Sequence, residues 1–353
     1  MFSLFGKKDE AMIGADIGSS AVKLVALSRD KDRVTLEAYA IVPLPPTAVI
    51  DGSVQDVAVV AEAIEQGMRQ ASYKAGLASV AVPSSTVITK QIEMSSALTE
   101  LELEDQVRME ASNFIPYPLD EVALDFEIIG PKADAPEVNE LLLVACRRDD
   151  VEQREDAVGA AGLKCEVVDV DVFAIERAYP LVHAEELEPG QLVGMVDIGA
   201  STLTLYVFQH GKIIYHREQA FGSAELINAL SQHTGTETEI LEHQLKNGEL
   251  NSELSAIFID PFRKTVAQQI SRALQLFYSS GVHSSLNRLF LLGGCSAMPQ
   301  LVEDIADELG ITTEKANPFA GMAISPKLVA SRLQQDAASL VKASGLAMRT
   351  PMS

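Results

Sequence analysis

The tripeptide Asp-Ile-Gly occurs at residues 16–18 and again at 197–199, about half a chain apart in a sequence of 353 residues. Each copy closes an apolar run and opens on small residues. The first reads Met12-Ile13-Gly14-Ala15-Asp16-Ile17-Gly18-Ser19-Ser20, the second Val193-Gly194-Met195-Val196-Asp197-Ile198-Gly199-Ala200-Ser201-Thr202. An alternating segment follows each turn, and a third strand-like run comes after it, at 33–42 and at 212–219. A buried strand, a small-residue turn and an alternating return strand make a hairpin signature. The separation is far longer than a solenoid period, so duplication of one α/β unit is the economical reading.

Two such units need apolar matter for two cores, and 47% hydrophobic residues with only 22 Gly and 15 Pro supply it. A disordered chain is therefore excluded. The formal charge of −22 argues against nucleic acid as the main partner, because counter-ion release from phosphates needs a basic face. A single bound nucleotide stays open, since backbone N–H groups and a metal ion meet its few charges. Cys146, Cys165 and Cys295 are too few and too scattered for a disulfide framework or a zinc site, and fit a reducing compartment. No apolar run reaches the ~18 residues of a membrane span. The start, with Phe2, Leu4 and Phe5 ahead of Lys7 and Lys8, reverses the order of a secretory signal. These features lead us to expect a soluble cytoplasmic protein, with the first five residues too short for a membrane anchor.

Between the repeats the periodicity predicts a helix over 54–71 and a strand over 78–82, then a distinct block over 87–166. Within that block it predicts a strand (87–93), a helix (102–114), two strands (122–129 and 140–146), a helix (150–160) and a strand (164–168), with 130–138 as an exposed loop tip. Ile115-Pro116-Tyr117-Pro118 ends the first of those helices, because proline removes a donor and restrains its predecessor. The second half predicts helices at 223–233, 237–246 and 260–280 and a strand at 288–292 running into Gly293-Gly294-Cys295-Ser296. Helices follow at 299–309 and 328–342, with one more turn carrying a close-packed glycine at 343–347.

An aspartate at the end of a buried strand, followed by glycine and hydroxyl residues, suits a phosphate and its metal. Glycine lets the backbone approach the oxygens, turn N–H groups and hydroxyls donate to phosphate, and the carboxylate holds Mg²⁺ through its water shell. The ordinary alternative is a tight hairpin whose Asp satisfies its own turn; two matching copies weigh against it. Gly293-Gly294 at the carboxyl end of a strand puts bare backbone where a ring or ribose can lie, or is a plain connector.

Asp16-Ile17-Gly18-Ser19-Ser20, Asp197-Ile198-Gly199-Ala200-Ser201-Thr202 and Leu292-Gly293-Gly294-Cys295-Ser296 resemble the two phosphate motifs and the adenosine motif of the actin, heat-shock chaperone and sugar-kinase superfamily. The block after the first hairpin unit resembles the FtsA-type insertion. Phe5-Gly6-Lys7-Lys8, the stretch 110–118 ending Phe114-Ile115-Pro116-Tyr117-Pro118, and Asp125-Phe126 resemble the PilM family of type IV pilus assembly. The resemblance implies an α/β actin-like ATPase fold of two duplicated lobes with an inserted α/β subdomain. The first lobe's core would be 1–86 and 167–190, the insert 87–166, the second lobe's core 191–222 and 287–353, and its upper part 223–286. It implies ATP and Mg²⁺ in the cleft, held by Asp16, Gly18, Ser19, Ser20, Lys23, Asp197, Gly199, Ala200, Ser201, Thr202, Lys246, Gly293, Gly294, Cys295 and Ser296, with Glu225 and Asn228 as further candidates. Asp16 and Asp197 would hold the metal through water.

The resemblance also implies a scaffold on the cytoplasmic face of the inner membrane, gripping the N-terminal cytoplasmic tail of PilN in a groove beside the insert. Other pilus motor proteins and self-association would add partners. Phe114, Ile115, Tyr117 and Leu119 suit an apolar groove for an extended peptide, or the insert's own core. In the helix 237–246 the resemblance leads one to expect an acid at the position of His243, three residues ahead of Lys246. ATP turnover needs a group that positions water; Asp171 stands in the right connecting stretch or caps the helix that follows. The rival classes on this fold are a small-molecule (sugar) kinase and a self-polymerising actin-like filament, the latter disfavoured by the acidic surface.

Overall fold

The structure, a computed structural model, describes residues 12–30, 33–183, 191–281 and 285–349. The opening residues Phe2 to Lys8 and the Phe5-Gly6-Lys7-Lys8 stretch lie outside them. Strands β1 (Met12–Ile17), β2 (Ala21–Asp30) and β3 (Arg33–Pro43) form an antiparallel meander in which Asp16 lies opposite Lys23. Helix α1 (Val57–Ala71) covers one face of it, burying Val60, Ile64 and Gly67 at helical spacing. Asp56 caps α1 by accepting from the Val59 N–H at 3.1 Å, and Ser72 in the left-handed region ends it. Strand β4 (Leu77–Val82) then joins β1 in parallel.

The chain next builds a separate three-stranded sheet from β5 (Ile88–Ser95), with helix α2 (Glu100–Ala111) and the hairpin of β6 (Val122–Lys132) and β7 (Ala135–Arg147). Thr99 and Glu102 form a capping box at the start of α2. The stretch expected as a loop over 130–138 is instead strand on both sides, with Lys132 paired to Ala135 and the register shifted beside Gly130. Pro131 is tolerated because β6 is an edge strand, and Pro136 because it stands at the start of β7, ahead of Val138 where pairing with β5 begins.

Helix α3 (Arg148–Ala160) and strand β8 (Lys164–Val170) were expected inside the inserted block, and here the structure differs. Strand β8 pairs with β4 and completes the first sheet, and α3 packs against α1. Arg154 of α3, 1% exposed, donates to the carbonyls of Gly52, Ala81 and Asp150 at 2.5–2.8 Å. That fixes the helix to the first sheet.

Helix α4 (Asp171–Val182) leads to the second sheet. Its meander, β9 (Leu192–Ile198), β10 (Thr202–Gln209) and β11 (Lys212–Ala220), repeats the first, with Asp197 opposite Thr204. Helices α5 (Ala224–Thr234), α6 (Thr238–Asn247) and α7 (Asp260–Ser279) follow, then β12 (Leu286–Leu292), which joins β9 in parallel, helix α8 (Leu301–Leu309) and β13 (Thr312–Lys315). The short strand Ala323–Ile324 crosses back to pair with β3. The tail, expected as one helix over 328–342, is broken into α9 (Ala330–Asp336), a 3-10 turn (Ala337–Leu340) and α10 (Val341–Ala347).

Strand alternation decides where the two aspartates point. On β1, Ile13 and Ala15 enter the first core, so Gly14 and Asp16 share the opposite face. On β9, Leu192, Val196 and Ile198 enter the second core, while Val193 and Met195 pack with Ile175, Ala178 and Tyr179 of α4. Asp197 therefore shares the face turned towards α4. Helix α10 lies between these faces, and a side chain at Gly345 would overlap the carbonyl of Ala174 on α4, so only glycine permits this crossing. Arg177 locks it, donating to the Gly345 carbonyl at 3.0 Å and to Asp169 at 2.8 Å.

Candidate functional site

The two Asp-Ile-Gly turns meet across a cleft of about 240 Å³. They are closed alike: the Gly18 N–H donates to the Ala21 carbonyl at 3.0 Å, and the Gly199 N–H to the Thr202 carbonyl at 2.9 Å. The carbonyls of Gly199 and Ala200 also accept from the N–H groups of Ser223 and Ala224, at 3.1 and 2.9 Å, which seats the start of α5 on the second turn. The third motif arrives on β12. Gly293 sits at φ +83°, and a Cβ there would overlap the Asp197 carboxylate and the Ile198 carbonyl, so glycine is needed for the two motifs to touch.

Of the residues expected around a nucleotide, the cleft brings together Asp16, Gly18, Ser19, Ser20 and Lys23 from the first half. From the second it has Asp197, Gly199, Ala200, Thr202, Lys246, Gly293, Gly294 and Cys295. Ser201 stands beside the lining, its hydroxyl 2.9 Å from that of Ser19. Ser296 is fully buried and donates to the Gly293 carbonyl at 2.6 Å, shaping the turn from inside. Glu225 and Asn228 lie on the exposed side of α5, which offers Ile227 to the cleft instead, with Ser223 just ahead of the helix. The acid expected at the position of His243 has a neighbouring counterpart on α6. Glu242, four residues before Lys246, shares its face and lines the rim, while His243 points to solvent beside Asn247 and Glu249.

The charges were only half visible in the sequence. Lys23 pairs with Asp16 at 3.1 Å, as the strand register dictates. Lys342, on α10, places its ammonium 3.5 Å from Asp171 and 3.6 Å from Asp197. Burial pushes the Asp16 carboxyl up, but Lys23 and Lys342 outweigh it and hold the group below its ordinary value. Burial opposes the charge on Lys342, and Asp16, Asp171, Asp197 and Tyr206 overcome it and raise its pKa well above the usual lysine value. Asp336, 4% exposed, binds Lys246 of the second half and accepts from the Tyr39 hydroxyl of the first at 3.1 Å. Lys342 and Asp336 carried no local motif; packing of the tail brings them in.

Asp171 is the first residue of α4 and makes no side-chain cap to that helix. Its carboxylate accepts from the Ser84 N–H at 2.8 Å and faces Lys342, and it is not among the residues lining the cleft. In the inserted sheet, Ile115 is buried in the core formed with Val107 and Leu143, and Phe114 and Leu119 pack partly buried against it. Tyr117 is 48% exposed.

The donor set fits a polyphosphate: hydroxyls of Ser19, Ser20 and Thr202 and ammonium groups of Lys23, Lys246 and Lys342 line one space. Among the described residues no three His, Cys, Asp or Glu side chains converge as a ready metal site. Asp16 and Asp197 are carboxylates of the lining that could hold a hydrated ion. No helix among the described residues is long and apolar enough to cross a membrane.

Two hairpin-led sheets, each ending an Asp-Ile-Gly strand at a shared cleft, define an α/β protein of the actin-like ATPase fold. The chain belongs to the family of the type IV pilus assembly protein PilM, whose profile matches residues 14–351. It is similar to a chain of a solved PilM-PilN type IV pilus biogenesis complex, with 28% identity, a TM-score of 0.78, and 97% of this chain and 99% of that one covered. The ethanolamine utilization protein EutJ from Carboxydothermus hydrogenoformans shares the fold at 15% identity and a TM-score of 0.57, over 96% of this chain and 89% of its own.

Proposed function

We propose that the chain is a nucleotide-regulated adaptor of the pilus assembly platform, which binds Mg-ATP in the cleft and the N-terminal cytoplasmic tail of a PilN partner beside the inserted sheet. The nucleotide half rests on one observation, two matching turns that present Asp16 and Asp197 to one space. Gly18 to Ser20 would cradle one end of the phosphate chain and Gly199 to Thr202 the other, while Gly293 and Gly294 leave room for the nucleoside. Each charge-assisted bond contributes ~1.5–3 kcal/mol, so donors from both turns favour the closed cleft. Asp16 and Asp197 would orient the water shell of a Mg²⁺ ion, which would supply neutralisation of phosphate charge. Turnover would be slow, because Asp171, the candidate for positioning water, is engaged by Ser84 and Lys342.

The partner half rests on the near full-length likeness to a chain solved with PilN. Tyr117, with the exposed parts of Phe114 and Leu119, would form one wall of an apolar groove, and Ile115 would support it from the core. In this reading the inserted sheet is an FtsA-type subdomain between duplicated lobes, and the protein sits on the cytoplasmic face of the inner membrane through its partner.

A nucleotide shifts an open–closed equilibrium only by its differential affinity for the two states, and coupling between sites is reciprocal. Calorimetric titration of a synthetic PilN tail should give affinities differing by about fivefold or more with and without Mg-ATP. Equal affinities would remove the regulatory part of the proposal, and no binding in either condition would remove the partner.

A further inference from the structure

We infer that the ammonium of Lys342 serves as the cation of the cleft when nucleotide is absent, so that a divalent ion cannot settle there alone and enters only together with the nucleotide. This rests on the nucleotide reading above and adds the order in which charge is supplied. Lys342 lies between two carboxylates of different halves, Asp171 at 3.5 Å and Asp197 at 3.6 Å, and is close enough to Asp16 to act on its charge. A hydrated Mg²⁺ or Mn²⁺ keeps its own water ligands at ~2.1 Å and would reach these carboxylates through them, at about 4 Å from metal to oxygen. The lysine nitrogen therefore stands at almost the distance from the same oxygens that a hydrated metal would take.

The rest of the cleft is balanced in the same manner. Lys23 meets Asp16, and Lys246 meets Asp336 beside the lining, so these two carboxylates already have a cation when nucleotide is absent. Two cations a few ångströms apart repel strongly where solvent is partly excluded, and only 20% of the Lys342 side chain is exposed. A polyphosphate changes this balance. It brings negative charge within reach of the ammonium groups of Lys342 and Lys23, which turn from the carboxylates towards the phosphate oxygens and leave Asp197 and Asp16 to the metal's water shell. The aliphatic stem of Lys342 allows that swing, whereas α10 itself is held by the Gly345 crossing and Arg177.

The test is direct titration of Mn²⁺, followed by the electron paramagnetic resonance signal of the free ion, on the full chain without nucleotide. The wild type should show no Mn²⁺ site tighter than the millimolar range, and Lys342→Met should bind Mn²⁺ at least tenfold more tightly. Lys342→Arg, which keeps the charge, should behave as the wild type. Equal Mn²⁺ binding by wild type and Lys342→Met would overturn the inference, as would a tight site on the empty wild type. Lys342→Gln replaces the methionine variant if that one does not fold, and the wild-type titration needs no variant. These outcomes do not depend on nucleotide binding. Failure of a fluorescent ATP analogue to bind the wild type would instead count against the nucleotide reading.

Discussion

The hydroxyls of Ser19 and Ser201 lie 2.9 Å apart and join the two phosphate-type turns of the molecule, one from each half. Ser19 lines the cleft, whereas Ser201 stands beside the lining. An incoming phosphate would compete with Ser201 for the Ser19 hydroxyl. Ser19→Ala should therefore weaken ATP binding about five- to tenfold, the loss of one hydrogen bond of ~1 kcal/mol, whereas Ser201→Ala should stay within about twofold. Fluorescence titration with a labelled nucleotide separates the two, and equal losses would contradict this assignment of roles.

The acid limb of stability should depend on Asp16. Its folded pKa lies below the ordinary value of 3.8 because Lys23 and Lys342 outweigh the opposing effect of burial. For a depressed carboxyl, the stabilisation is complete above the unfolded pKa and is lost as pH falls through the folded one. Urea melts between pH 6 and pH 3 should thus show the wild type losing stability towards the acid end. Asp16→Asn should be less stable at pH 6 and less steep below pH 4. Parallel curves for the two proteins would contradict it.

Gly345 sets how closely the tail approaches α4. A methyl group there would strike the Ala174 carbonyl, and backbone is less able to yield than a side chain. Overpacking typically costs ~1–3 kcal/mol, so Gly345→Ala should lower the thermal midpoint by several degrees. ATP affinity should fall as well, since α10 carries Lys342. A variant with an unchanged melting profile would show that the tail helix is free to shift.

Burial raises the pKa of Cys295 to about 12, and those of Cys146 and Cys165 to about 11. The reactive species is the thiolate, so at pH 8 native protein should react with a disulfide reagent far more slowly than unfolded protein. Cys295 lines the cleft, and ATP should slow its labelling further, as followed by mass spectrometry of the modified peptides. Rapid labelling of Cys295 in the presence of saturating nucleotide would place the ligand elsewhere.

What the sequence made legible was local chemistry. The two turns and Gly293-Gly294 are short motifs whose geometry follows from a strand, a glycine and a tight connection, and they meet as the repeat implies. What it left hidden was supplied by tertiary packing. Lys342 and Asp336 sit on a helical tail without a motif; the close crossing at Gly345 brings Lys342 into the cleft, and Asp336 reaches Lys246 from α9. Strand β8 reads the same whether it closes the inserted block or the first sheet, and pairing with β4 decides it. Glu242 and His243 are adjacent in the sequence, yet only Glu242 faces the cleft, because a one-residue step along a helix turns the side chain by about 100°. Phe114 and Ile115 show the limit of apolar pattern, which does not separate a groove from the core beneath it.

The most direct test of the account is calorimetric titration of Mg-ATP into the wild type, Asp16→Asn and Asp197→Asn, each checked for an intact fold by circular dichroism. The two halves closing on one polyphosphate predict that both variants lose Mg-ATP affinity by at least about tenfold, roughly 1.4 kcal/mol, while remaining folded. If either variant keeps the wild-type affinity, the paired turns do not form the nucleotide site.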